Sequence, residues 1–182
     1  KSEVESRREP SLKSQLTKRF AIDLPFLSAN MDTITDSDMA IAMGRLGGIG
    51  ILHRFMTVNE QVKQVQAVKT SGAKMVAASI GVNKEEEQRA MALIDAGVDV
   101  ITVDIAHGQS TWRIDTVKML KDKYGNRVDI SAGNVATPEA TLELIEAGAD
   151  AIKVGIGPGS MCTTRIITGC GVPQLTAIAW CA

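Results

Sequence analysis

Asp95-Ala-Gly-Val-Asp-Val-Ile-Thr-Val-Asp-Ile105 and Glu146-Ala-Gly-Ala-Asp-Ala-Ile-Lys-Val-Gly-Ile156 are two copies of one pattern. Each copy has an acidic helix end, a glycine suited to a left-handed C-cap, an aspartate, and an apolar run rich in Val and Ile. A helix that stops on glycine and feeds a buried strand is half of a βα unit, and such units bury their apolar faces only by stacking on neighbours. The same alternation runs from Leu24 onward. Strands are expected at Leu24 to Ala29, Ile49 to His53, Met75 to Ile80, Val100 to Ile105, Val128 to Ala132 and Ala151 to Ile156. Helices are expected at Asp36 to Leu46, Val58 to Thr70, Lys84 to Ala96, Thr111 to Lys123, Pro138 to Ala147 and Gln174 to Ala182. Their starts are marked by a capping box at Thr57 with Glu60, and by Thr137-Pro138-Glu139, an N-cap followed by an N1 proline.

A module of about 25 residues points to a (β/α)₈ barrel, and no G-x-G-x-x-G follows the first strand to favour a doubly wound sheet. Eight units take about 250 residues. The 182 residues hold six, so the chain is expected to be one catalytic TIM-barrel domain over 1–182, incomplete at its C-terminus. The polar stretch 1–20 is expected to run extended across the bottom of the barrel. Met39, Met43, Met91 and Met119 fall on helical faces and are expected in the core.

Composition excludes some partners. Twenty basic and 21 acidic side chains leave a net charge of -1 without blocks of like charge, which argues against nucleic-acid and membrane-surface binding. No apolar run approaches the roughly 20 residues of a membrane span, and the basic start lacks a signal-peptide core. Three clustered cysteines, Cys162, Cys170 and Cys181, make neither a disulfide framework nor paired metal-ligand spacing, so a cytoplasmic location is expected.

Barrel chemistry sits at the C-terminal strand ends. The segment after the sixth strand, Gly155-Ile-Gly-Pro-Gly-Ser-Met-Cys-Thr-Thr-Arg165, cannot continue a strand, and its backbone N–H groups can turn toward an anion. Alone, Gly155 to Ser160 is compatible with a surface turn, and Cys162 with a small buried apolar residue. Together with Ser160 and Arg165 on the catalytic face, they favour a nucleophilic cysteine beside a bound phosphate.

The segment Lys153 to Arg165 closely resembles the signature of the IMP dehydrogenase and GMP reductase family. The resemblance extends through Ser28-Ala-Asn-Met-Asp-Thr33, Gly47-Gly-Ile-Gly50, Asp104-Ile-Ala-His-Gly108, Ala132-Gly-Asn-Val135 and Gly171-Val-Pro-Gln174. It implies that Cys162 attacks C2 of a purine nucleotide, GMP or IMP, and that hydride passes between this adduct and a nicotinamide cofactor. Thr164 matches the threonine that helps activate water or ammonia, and Ser160 matches a phosphate contact. Met31 and Asn134 match the purine site, and Asp104, Ala106 and Gly155 match the cofactor site. Backbone carbonyls of Gly157, Gly159 and Cys162 match a monovalent-cation site, for potassium, and the family implies a homotetramer.

Within the family, Ala29-Asn30-Met31, His53-Arg54-Phe55, Asp104 to Gly108 and Trp180-Cys-Ala182 resemble GMP reductases. No CBS module interrupts the chain between Lys69 and Met75. Gly47 to Gly50 and Gly171 to Gln174 look more like dehydrogenases. The expectation is an NADPH-dependent reductive deamination of GMP to IMP and ammonia. The alternative is NAD-dependent oxidation of IMP to XMP. From different classes come a catalytically silent barrel fragment and a phosphate-binding barrel of aldolase or isomerase type.

Overall fold

The computed structural model describes residues 3–83, 85–104 and 111–182. A short antiparallel hairpin, β1 (Ser14–Gln15) and β2 (Ala21–Ile22), precedes six parallel strands. These are β3 (Leu27–Ser28), β4 (Ile49–Leu52), β5 (Ala77–Ile80), β6 (Val100–Asp104), β7 (Asp129–Val135) and β8 (Ala151–Val154), paired in chain order. The crossovers carry α1 (Ser37–Arg45), α2 (Val58–Thr70), α3 (Glu86–Asp95), α4 (Thr111–Tyr124) and α5 (Pro138–Glu146). A short α6 (Thr164–Thr168) and α7 (Gln174–Cys181) follow β8. The architecture is an open half-barrel, six units of a (β/α)₈ barrel, with β3 and β8 at its two edges.

Residues alternate between the two faces of the sheet, as period-two strands require. Leu52, Ile80, Ile101, Val103, Ile130 and Ala132 face outward into a core shared with Val65 and Val68 of α2, Leu93 of α3, Leu120 of α4 and Leu144 of α5. Ile49, Ile51, Ala77 and Val100 face inward and meet Ile22, Leu16 and Phe20 of the lead-in, which cover the bottom. The lead-in is fastened by Asp129 at the start of β7. Its carboxylate accepts from the Thr17 hydroxyl (2.5 Å) and the Arg19 Nε (2.5 Å).

The repeated sequence has a repeated mechanical device. Gly97 and Gly148 adopt φ of +95° and +97°, the left-handed C-cap that a side chain would strain. Asp99 and Asp150 follow. Each bonds twice to one residue of the preceding strand segment: Asp99 N–H to the Val76 carbonyl and its carboxylate from Val76 N–H, and Asp150 likewise with Ile130. Each carboxylate also takes a lysine from the helix before that strand segment, Lys69 Nζ at 2.9 Å and Lys121 Nζ at 2.7 Å.

Two features escaped the sequence-based expectation, the β1–β2 hairpin and α6. The first strand shrinks to Leu27–Ser28, because Asp23 and Leu24 donate instead to the carbonyl of Gly47 and Pro25 has no N–H to give. β7 runs on to Val135 through a register irregularity between Gly133 and Val135. Met39 and Met91 are exposed rather than buried in the core. Lys84, the expected start of the third helix, and residues 105–110, including Ala106 and the strand end at Ile105, lie outside the described residues. No helix among the described residues is long and apolar enough to cross a membrane.

The Asp150 side chain is 2% exposed and that of Asp99 22%. Asp150→Ala leaves the Ile130 N–H without its acceptor and is expected to cost about 2–3 kcal/mol, against about 1–2 kcal/mol for Asp99→Ala. Urea unfolding of both variants checks the order, and equal or reversed losses contradict it.

Candidate active site

The strand register prepares the site. On the inward face Asp104 of β6 stands beside Gly133 of β7, and Gly133 beside Lys153 of β8. A Cβ on Gly133 would collide with the Lys153 side chain. The space left by this glycine lets Lys153 Nζ reach Asp104 Oδ1 at 3.1 Å, two strands away. The same ammonium donates to Asn30 Oδ1 at 2.7 Å, just beyond β3, and so ties the two edges of the half-barrel across its mouth. The irregularity after Gly133 turns Asn134 so that its Nδ2 donates to the Gly155 carbonyl at 2.9 Å.

Above this cluster lies a cavity of about 640 Å³, a size suited to a small molecule or cofactor. Of the residues predicted from sequence, the cavity brings together Met31, Asp104, Asn134, Gly155, Gly157, Cys162 and Thr164. Ser160 is exposed on the loop and is not among the lining residues, and Ala106 lies outside the described residues. The wall also holds Asn30, Phe55 and Lys153, to which the sequence reading gave no role in the site. Lys153 was visible in the quoted segment. Its signal was a lysine at an inward position of an otherwise apolar strand, flanked in register by a glycine. His53 is buried behind this wall, its Nδ1 accepting from the Phe55 N–H, and Arg54 lies over the Phe55 ring.

Cys162 is half-buried at the edge of the cavity. Hydrogen bonds from the Thr164 side chain and then the Thr164 backbone hold its thiol below the usual range; burial opposes this, and the Arg165 charge adds a smaller push in the same direction. Thr164, more than Arg165, therefore favours the thiolate. The Arg165 guanidinium is engaged elsewhere: Nη1 donates to the carbonyls of Gly157 (2.5 Å) and Gly159 (2.6 Å). These are two of the three carbonyls expected to cradle potassium, and an ion between them would overlap the nitrogen already there. The cradle as arranged does not fit the ion. Among the described residues, no group of three or more His, Cys, Asp or Glu side chains is placed to hold a metal.

A parallel half-barrel with a cysteine on a glycine loop and a lysine-paired carboxylate lining one cavity defines an incomplete (β/α)₈ barrel with its candidate site at the C-terminal strand ends. The chain matches the IMP dehydrogenase / GMP reductase domain over residues 1–182 and belongs to that family. It is 44% identical to an inosine-5'-monophosphate dehydrogenase of Cryptosporidium parvum, over 96% of this chain and 53% of that protein. It is 39% identical to one of Borreliella burgdorferi, over 93% and 54%. A third, of Nitrosopumilus maritimus, is 30% identical over 100% and 64%. The chain thus spans about half the length of the first two relatives.

These relatives overturn the expected lean toward GMP reductase, and with it the reductive deamination of GMP; family membership supports a nicotinamide-dependent enzyme. Ala29, Met31 and Phe55 lie in the cavity wall, whereas Trp180 is half exposed on α7 outside that lining.

Because hydrogen-bond donors from Thr164 favour the thiolate, alkylation of Cys162 by iodoacetamide should reach its plateau at a lower pH than an ordinary thiol, whose pKa is about 8.5. Thr164→Val removes the side-chain donor and should move the profile to higher pH. Peptide mass spectrometry against pH checks this, and an unmoved profile would contradict the assignment.

Proposed function

We propose that the chain is the catalytic part of an IMP dehydrogenase, which oxidises IMP to XMP with NAD. The observation that carries this is the Cys162 thiol, its pKa lowered by hydrogen bonds from Thr164, opening on the same cavity as the Asp104–Lys153–Asn30 cluster. The match to IMP dehydrogenases of three organisms supports the same reaction.

C2 of the hypoxanthine ring lies between two ring nitrogens and is electrophilic, so the Cys162 thiolate adds to it and makes the carbon tetrahedral. A nicotinamide dinucleotide, when bound, supplies the acceptor for the hydride that C2 then gives up. Asp104 would hold a ribose hydroxyl of that cofactor, as carboxylates do in other dinucleotide sites. The Lys153 ammonium, 3.1 Å from Asp104 Oδ1, holds that carboxylate in place at the cavity wall. The purine remains joined to Cys162 as a thioimidate, which water must cleave. Thr164, whose side chain bonds to Cys162, is placed to orient that water toward C2. Addition of water and departure of the Cys162 thiolate complete XMP, with one proton released. Asn134, anchored on the Gly155 carbonyl, and Met31 flank the purine, while Ser160 reaches its phosphate from the loop. The cavity belongs to one barrel domain over 1–182, and the complete protein assembles as a homotetramer in the cytoplasm.

The test is NADH absorbance with the full-length protein, IMP and NAD⁺. Turnover is expected, and Cys162→Ala should abolish it. Thr164→Val should lower kcat by about 10²–10⁴-fold, the range of a lost acid–base contribution. NADPH consumption with GMP and no activity with IMP would overturn the proposal. Alkylation of Cys162 at the same rate with and without IMP would overturn the assignment of the cavity to the nucleotide.

A further inference from the structure

We propose that Arg165 is the resident cation of the cysteine loop: its guanidinium, and not a free alkali ion, gathers the loop carbonyls and keeps Cys162 in its reactive setting. Carbonyl oxygens turned toward a common point repel one another unless a positive group lies between them. Here that group is Arg165 Nη1, at 2.5 Å from the Gly157 oxygen and 2.6 Å from the Gly159 oxygen. The Gly159 oxygen also accepts from the Cys162 N–H at 3.1 Å, so the guanidinium is one residue's backbone removed from the nucleophile.

The surrounding chain is shaped to admit this arginine. A Cβ built on Gly171 would lie 3.1 Å from Arg165 Cβ, and one on Gly157 would lie 3.4 Å from it. Replacing Gly171 would therefore force the arginine stem to give way. The Arg165 carbonyl accepts from Gly169 N–H, and Val172 N–H bonds to the Ile156 carbonyl. The segment from Ile156 to Val172 thus closes on itself around the arginine.

A guanidinium is charged at every pH the protein meets and carries several donors in one plane, so a single side chain can serve two carbonyls at once. Being tethered, it is also present whatever the salt. A free ion in the same cradle would make the loop depend on its concentration, because binding to the folded loop alone is governed by mass action. Arg165 removes that dependence.

The experiment reads the loop without turnover and therefore stands apart from the proposed reaction. Full-length protein is alkylated with iodoacetamide in potassium, sodium or choline chloride at equal ionic strength. Modification at Cys162 is followed in time by peptide mass spectrometry at one fixed neutral pH, with exposed Cys170 as the reference. Wild-type protein is expected to give one Cys162 labelling profile in all three salts. Arg165→Ala in choline should slow Cys162 labelling several-fold relative to Cys170, and labelling should recover when potassium is supplied. Arg165→Lys, which keeps the charge but loses the planar fork, should lie between. Slower labelling of wild-type Cys162 in choline than in potassium overturns the proposal and requires no variant. A wild-type profile for Arg165→Ala in choline also overturns it.

Discussion

Parallel strands cannot be aligned by a tight turn, because each is separated from the next by a whole crossover helix. Their register has to be fixed by contacts of their own, and here those contacts are the aspartates at the strand starts. Asp99 and Asp150 each bracket one residue of the neighbouring strand segment, giving an N–H to its carbonyl and taking its N–H on the carboxylate. A slip by one residue would break both bonds and turn every inward side chain outward. The lysines add a charge to each bracket, Lys121 on a carboxylate nearly closed to solvent and Lys69 on a more open one. Asp129 uses the same position differently, spending its carboxylate on Thr17 and Arg19 to fasten the lead-in.

What is fixed at the bottom of the barrel is used at the top. With the register set, Asp104, Gly133 and Lys153 must fall in one row. The glycine in the middle turns two distant strands into a bonded pair. A larger residue there would displace Lys153 and free the Asp104 carboxylate and the Asn30 amide together. The polar cluster at the mouth thus depends on a residue with no side chain and on carboxylates at the far end of the strands. Stability and site geometry are coupled through the sheet.

The helices and strands were legible because capping and periodicity are local. Thr57 with Glu60 marks the start of α2, and the structure contains both bonds of that capping box. The cysteine loop was legible for a similar reason, since three glycines and a proline in six residues leave few conformations open. The Lys153 bridge was not legible. It joins residues 49 and 123 positions apart, and its meaning depends on a register that no single segment encodes. The role of Arg165 was legible only in part. Nearness in sequence suggested a charge favouring the Cys162 thiolate, and that charge does push the thiol down, though less than the Thr164 hydrogen bonds, while the guanidinium reaches back to Gly157 and Gly159, a contact set by how the chain folds.

The same distinction explains why family membership was readable while the choice of branch was misread. In both branches of the family a thiolate adds to C2 and a hydride crosses between C2 and the cofactor, away from C2 in the dehydrogenase and onto it in the reductase, so much of the chemistry is shared. The branches differ in the other group exchanged at C2, water entering in the one and ammonia leaving in the other. The motifs at Ala29 to Met31 and at Phe55 line the cavity wall; under the proposed function they meet the base itself, so likeness there measures shared binding and not the fate of C2. Under the proposed reaction, Thr164 is the described residue placed at that exchange, through its hydrogen bond to the Cys162 thiol. A hydroxyl orients water and ammonia alike. Selection between them therefore requires a group that takes a proton from water in the one case or gives one to the departing amine in the other, and Thr164 alone supplies neither preference.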